Sequence, residues 1–341
     1  MPERVLVTGA SGFIAKHIVL ALLNAGHTVR GTLRTPAREA EVRAAVAPHL
    51  TDPAALDRLT FVALDLEQDG GWDAAMAGMS VLMHTASPFP IEQPKDPAVL
   101  IRPAVEGTLR ALRAAKAAGI GRVILTSSTV AVLNTELPAG RTHHNEGDWS
   151  DLDSPTATPY VRSKTLAERA AWDFVAGEGA GMALTVINPS FVMGPPLDQH
   201  FGSSVGVIRR ILRGRDPMMP KLGLTCVDVR DIAALHLAAL EQPGTAGQRI
   251  IGAAGEMWMD EMAKAIKAAY PARRIPTGIA PKPLLRLLGI FDGQIRAILP
   301  AIGKMERIDN TRARAVLGRD LIPPREALLA SADFIVSNRL V

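Results

Sequence analysis

Cysteine is nearly missing from this chain of 341 residues: Cys226 stands alone, so neither an intramolecular disulfide nor a thiolate-rich zinc site can form. The fold must stand on packing, and reducing conditions suit it. Although 48% of the residues are hydrophobic, no run of about 18 apolar residues lacks charges, which excludes an obvious membrane span. The N-terminus reaches the strand pattern Val5-Leu6-Val7 without signal-peptide architecture, so a soluble cytoplasmic protein is expected. A net charge of +4 and a pI near 9.4 come from scattered Lys and Arg. No dense basic tract or aromatic-basic interleaving accompanies them, and no nucleic-acid partner is expected. Internal repeats and low-complexity tracts are absent as well.

What the chain has is rhythm. Short β-branched runs alternate with Ala-rich helical stretches through the first half, the pattern of parallel strands joined by right-handed helical crossovers. Strands are predicted at Arg4 to Thr8, Thr28 to Leu33, Thr60 to Leu64, Val81 to His84, Arg122 to Thr126 and Ala183 to Ile187. Helices are predicted at Phe13 to Asn24, Glu39 to Ala47, Ala98 to Ala118 and Pro159 to Ala176, with Gly26 and Gly119 as stop signals. The order predicts an α/β fold with a doubly wound parallel sheet of the Rossmann type. After Asn188-Pro189 the rhythm breaks at Pro195-Pro196, Pro217 and Pro220, and Val227 to Glu241 then reads as strand followed by helix. The expected division is a dinucleotide-binding domain over 1–188 with 226–252, and a smaller, interleaved C-terminal substrate lobe over 189–225 with 253–341. That lobe should lie over the strand ends, where open α/β sheets bind ligands.

The segment Val5 to Ala15 reads as a buried strand turning straight into a helix, with its glycines at the turn. Gly9 permits a tight bend, Gly12 lets a diphosphate approach the backbone, and the small Ala15 lets the helix lie close on the sheet. Free N–H groups at the helix start, along Ser11, Gly12, Phe13 and Ile14, suit phosphate oxygens, aided by the helix dipole. An NAD-selective site places a carboxylate about 20 residues beyond the glycines, at the end of the second strand. Here that strand ends Gly31-Thr32-Leu33-Arg34, with Arg38 following, and guanidinium groups suit a 2′-phosphate. NADP(H) is therefore the expected cofactor, with Asp65 and Leu66 flanking its adenine.

Tyr160 and Lys164 stand four apart in a predicted helix, which is roughly 6 Å and slightly more than one turn, so both leave one face together. A carbonyl accepting hydride develops negative charge on oxygen and needs a proton there. A free phenol titrates near about 10, and a neighbouring ammonium favours the phenolate, so Tyr160 reads as the proton donor and Lys164 as the source of the field that tunes it. Strand five opens into Ser127-Ser128-Thr129, which sets hydroxyls just past a strand's carboxyl end.

Together with the glycine turn, this order resembles the extended short-chain dehydrogenase/reductase family over most of the chain. The turn Gly-x-x-Gly-Phe-Ile-Ala, the stretch His84-Thr85-Ala86-Ser87-Pro88, Pro103 to Thr108 and Ser163-Lys164-Thr165-Leu166-Ala167-Glu168 are similar to the dihydroflavonol reductase, cinnamoyl-CoA reductase and fungal methylglyoxal/aldehyde reductase branch. The resemblance implies an NADPH-dependent reductase of aldehydes or ketones, reversibly a secondary-alcohol dehydrogenase. It implies that Lys164 also holds the nicotinamide ribose and that Ser128 holds the carbonyl oxygen, with Ser127 as the adjacent alternative. Thr85, Ala86, Ser87 and Thr126 would border the cofactor, Pro189 and Val192 would orient the nicotinamide, and Ser203 and Ser204 would reach phosphate. Cys226 to Asp231 matches an architectural element whose paired charges fix the two lobes.

Plant dihydroflavonol reductases carry Asn or Asp five residues beyond the serine, where this chain has Leu133, so a less polar carbonyl is expected. The pocket wall is predicted to include Phe89, Thr129, Leu133 and Met193. His143-His144-Asn145-Glu146 has metal-ligand chemistry but no third ligand at suitable spacing, and no metal is expected. The apolar stretch Lys282 to Gly303 is expected over the cleft or against a subunit, with a helix resting on a membrane surface as the alternative, in a monomer or homodimer. Two rivals stand beside the reductase: a sugar-nucleotide epimerase retaining NAD, opposed by Arg34 and His84 to Pro88, and a non-catalytic NADP redox sensor, opposed by Tyr160 with Lys164.

Overall fold

A computed structural model describes residues 1–87 and 96–341. Its strands are β1 (Arg4–Val7), β2 (Thr28–Leu33), β3 (Leu59–Ala63), β4 (Val81–His84), β5 (Arg122–Thr126), β6 (Ala183–Pro189), β7 (Phe191–Met193), β8 (Gly223–Asp228), β9 (Arg249–Gly252) and β10 (Gly255–Trp258). Its α-helices are α1 (Phe13–Asn24), α2 (Glu39–Val46), α3 (Trp72–Met76), α4 (Ala98–Ala117), α5 (Pro159–Ala176), α6 (Ser203–Arg213), α7 (Val229–Glu241), α8 (Met259–Ala269), α9 (Lys282–Leu288), α10 (Gly293–Ile298), α11 (Thr311–Leu317) and α12 (Pro324–Ser337). The six predicted strands and four predicted helices of the first half are present, with ends within two residues of expectation. Gly26 and Gly119 close their helices with φ of +87° and +72°, the left-handed conformation that glycine adopts without steric cost.

Seven strands form one sheet in the order β3-β2-β1-β4-β5-β6-β9, and every pairing in it is parallel. A parallel sheet covered on both faces needs apolar side chains on both, and β1 shows how the sequence supplies them. Val5 and Val7 join the cluster beneath α1 and α7, whereas Leu6 points to the other face, among Leu82, Val123 and Leu184 with Ala111, Leu112 and Phe174 of α4 and α5. The strand order reverses between β1 and β4, which makes their carboxyl ends the switch point where open sheets take ligands.

β6 runs almost directly into β7, with Ser190 between them, and β7 enters a second sheet, β10-β8-β7. That sheet packs with α6, α8 and α12 in a separate core of Met193, Val205, Ile208, Cys226, Met262 and Leu328. The domain boundary placed at 226 falls inside β8, and α11, assigned by sequence to the substrate lobe, packs Ala313 into the cluster beneath the large sheet. Asp228 caps α7 and pairs at 2.8 Å with Arg230, two residues on, while Asp231 pairs with Arg319 of the C-terminal segment at 2.7 Å. Among the described residues, no helix is long and apolar enough to cross a membrane.

Candidate active site

Two cavities, of about 610 and 580 Å³, meet along the carboxyl ends of the central strands and share Gly9, Gly12, Thr85 and Ser87, so they form one groove. Thr8 builds the switch point at its floor: its hydroxyl accepts from the Thr85 and Ala86 N–H groups at 3.0 and 3.1 Å and meets His84 Nδ1 at 2.9 Å. Gly9 has φ of +66°, and a Cβ there would stand 2.9 Å from Ala86 Cβ, so the turn is closed to larger residues by conformation and by space. Gly12 caps α1 without any side-chain hydrogen bond, which leaves the first-turn N–H groups for a ligand. The donor set fits a dinucleotide diphosphate.

The first cavity is the charged end. Ser11, Arg34, Arg38, Asp65, Leu66 and Ala86 line it, together with Thr32, Thr35 and Glu67, which the sequence reading did not single out. Arg34 lies exposed at its rim. Arg38 is shared: it meets Glu41 through two hydrogen bonds of 2.8 and 2.7 Å and donates to Ser11 Oγ at 2.9 Å. Burial would raise the Glu41 carboxyl, but hydrogen bonds from Arg38 and from Lys16 outweigh it and hold that group at about 2. Lys16 also pairs with Asp198, so its ammonium already occupies the one place among the described residues where potential metal ligands, Glu41, Asp198 and His200, converge.

The second cavity holds the residues expected to be catalytic. Phe13, Ile14, Thr126, Ser128, Thr129, Leu133, Tyr160, Lys164, Pro189, Val192, Ser203 and Ser204 all line it. Tyr160 sits in the first turn of α5, fixed by Pro159 and by the Thr158 cap, whose hydroxyl accepts from Val161 N–H at 3.2 Å. The Tyr160 phenol is hydrogen-bonded to Ser128, and Lys164 Nζ lies 6.0 Å from the phenol ring centre. Ser127 turns the other way and donates to Glu168 Oε2 at 2.5 Å, so of the two serines the structure brings Ser128 to the tyrosine.

The electrostatics correct one expectation. Desolvation, against the Ser128 hydrogen bond, pushes the Tyr160 phenol above its ordinary value, so the net direction is opposite to the one expected from the field of Lys164. Desolvation also lowers Lys164 itself, to about 8, against the opposing field of Glu168. Two further hydroxyls are already used: Thr126 Oγ1 meets His236 Nε2 at 2.7 Å, and Ser204 Oγ donates to the Val192 carbonyl at 2.5 Å.

Met193 does not reach the groove. It is fully buried in the core of the second lobe, because two residues of extended chain beyond the cleft-lining Phe191 carry it roughly 7 Å onward. Phe89 lies outside the described residues. None of the described residues lining the cleft comes from 282–303; that stretch packs instead on Met218 and Leu222 and leaves Leu287, Ile290 and Phe291 exposed.

Sequence reasoning missed the network behind Ser127 and Lys164. Glu168 is fully buried and accepts from Ser127, from Asn188 Nδ2 at 2.7 Å and from Arg249 Nε at 2.6 Å. Arg249 in turn stacks 3.9 Å over the Trp149 ring and donates to the carbonyls of Glu146 and Asp148 at 2.9 and 2.6 Å. The spacing of Glu168, four residues beyond Lys164, was a usable signal. Arg249 had none, being distant in sequence and brought in only by β9.

Fold and groove together define a dinucleotide-binding enzyme of the short-chain dehydrogenase/reductase architecture. The chain belongs to the NAD dependent epimerase/dehydratase family, whose model matches residues 5–252, and within it to the extended short-chain dehydrogenases/reductases. It is 33% identical to ketoreductase azaE of Aspergillus niger, over 94% of this chain and 95% of that protein. Cinnamoyl-CoA reductase 2 of Arabidopsis thaliana is 35% identical over 80% of this chain and 79% of its own length. Among solved structures, yeast methylglyoxal/isovaleraldehyde reductase Gre2 complexed with NADPH superposes with a TM-score of 0.80 at 26% identity, covering 99% of this chain and 100% of that one.

Proposed function

We propose that the protein is an NADPH-dependent reductase of aldehydes or ketones, reversibly a secondary-alcohol dehydrogenase, in which Tyr160 donates the proton. The observation that carries this reading is the hydrogen bond between Ser128 and the Tyr160 phenol, in a groove that runs without a break to the glycine turn. The names of the relatives support it, as does the NADPH in the Gre2 complex.

The Gly9–Ile14 turn would hold the cofactor diphosphate, Arg34 and Arg38 its 2′-phosphate, and Lys164 its nicotinamide ribose. Bound NADPH supplies a hydride to the carbonyl carbon. Ser128 and Tyr160 would present their hydroxyls to the carbonyl oxygen, so negative charge developing there would meet two neighbouring donors. A phenol kept protonated by desolvation suits the direction of reduction, because its proton stays in place until an alkoxide, a far stronger base, forms beside it. Lys164 stabilises the phenolate left behind by its charge.

Tyr160→Phe tests the reading. It should lower kcat by about 10²- to 10⁴-fold while NADPH affinity, read by fluorescence titration, stays within about twofold. Wild-type rates in that variant would remove Tyr160 from the mechanism. A panel of aldehydes, ketones and diketones with NADPH and NADH side by side tests the activity itself. NAD retained through purification would favour the epimerase, and no turnover with any carbonyl would favour the sensor.

A further inference from the structure

Among the described residues that line the catalytic cavity, two carry charge: Lys164, beside the tyrosine, and Glu306, contributed by the C-terminal segment. The rest of the substrate side is apolar or hydroxylic, with Val130, Leu133, Phe191, Val207 and Leu224 among its walls. Glu306 is 47% exposed, so it stands where the cleft meets water. It is not loose there. His144 Nε2 meets Glu306 Oε2 at 3.2 Å, and His144 is itself 1% exposed. Its backbone is locked to the same segment, accepting from Asp309 N–H and donating to the Arg307 carbonyl, both at 2.8 Å. The histidine of the His143 to Glu146 motif thus has an employment other than a metal: it fixes a carboxylate at the edge of the substrate space. Ser190 Oγ, buried and without a hydrogen-bond partner among the described residues, belongs to a residue of the same wall.

We propose that Glu306, positioned by His144, determines substrate specificity: it selects carbonyl compounds whose far end carries a hydrogen-bond donor or a cationic group and rejects those ending in a carboxylate. A carboxylate only accepts hydrogen bonds, and its charge repels a like charge in a cleft whose walls are largely apolar. This rests on the reductase reading above and names the substrate class within it. An apolar body along Leu133, Phe191 and Leu224 with one donor at the Glu306 end satisfies both kinds of wall.

The test is a series of aldehydes of equal length ending in methyl, hydroxyl, ammonium or carboxylate, followed by NADPH oxidation. In the wild type, kcat/KM should be at least about tenfold higher for the ammonium than for the carboxylate compound, with hydroxyl above methyl. Glu306→Gln should bring the ammonium-to-carboxylate ratio to within about threefold, with the methyl compound changing least of the four, and Glu306→Lys should invert the ratio. His144→Gln tests positioning: KM for the ammonium compound should rise with kcat unchanged, and a thermal midpoint near wild type shows that the fold survives. An unchanged ratio in Glu306→Gln, or an equal loss with all four compounds, would overturn the assignment. Failure of the wild type on every member, methyl included, would instead bring down the reductase reading on which it stands.

Discussion

The two ends of the groove use charge in opposite ways. At the arginine end Arg34 lies open to water, and Arg38 shares its guanidinium with Glu41 and Ser11, so charge there works through shape and hydrogen bonding under solvent screening. Around Tyr160, Lys164 and Glu168 are hemmed in by protein, and desolvation, partly opposed by the field of Glu168, brings the lysine to about 8. On the proposed reading, the same kind of side chain would select a ligand at one end and set a protonation state at the other. Changes at the enclosed end should move stability and pH dependence; changes at the open end should move cofactor preference and little else.

The largest effect that would sharpen this contrast lies at Glu168. Glu168→Gln removes the carboxylate that faces Arg249 and leaves a buried guanidinium without its counter-charge, which costs about 3–5 kcal/mol of stability. Denaturant unfolding measures it. The same change shifts activity in a direction that mere loosening would not. Glu168 raises the Lys164 value against desolvation, so removing its charge lets Lys164 lose its proton at lower pH. The alkaline limb of kcat/KM should move toward neutrality. A limb that stays in place, or an unfolding free energy within about 1 kcal/mol of wild type, would break the contrast at its enclosed end.

What was legible in the sequence follows the same division. Gly9, Gly12 and the β1 run were readable because local rules carry them: a parallel strand needs apolar residues on both faces, and a tight turn against a diphosphate needs glycine. Tyr160 and Lys164 were readable because four residues of helix fix their relation. Arg249, Glu306 and Trp149 were not, since β9, the C-terminal segment and the loop before α5 meet only in the folded chain, and no spacing announces the meeting. The tyrosine's electrostatics were misread for a related reason. A nearby ammonium is visible in sequence, whereas desolvation depends on everything that packs around the ring.

A smaller effect tests the open end. Arg34→Ser should weaken NADPH binding by about tenfold, leave NADH binding unchanged and leave kcat at saturating NADPH near wild type. Titration of both cofactors measures it. A loss shared equally by NADPH and NADH would mean that Arg34 supports the turn rather than reading the 2′-phosphate, and the open end would then resemble the enclosed one.

The smallest effect separates the cleft wall from the core behind it. Met193 and Leu133 look alike in sequence, both apolar and both near the ends of central elements, yet Leu133 lines the cavity and Met193 is packed among Val205, Ile208 and Cys226. Met193→Leu conserves volume in a core, so stability should fall by less than about 1.5 kcal/mol and KM for any carbonyl should stay within about twofold. Leu133→Ala should instead change KM with the size of the substrate, since it opens space in the cavity wall. A size-dependent KM shift in Met193→Leu would place that side chain in contact with substrate and move the boundary of the catalytic end one strand deeper into the second lobe.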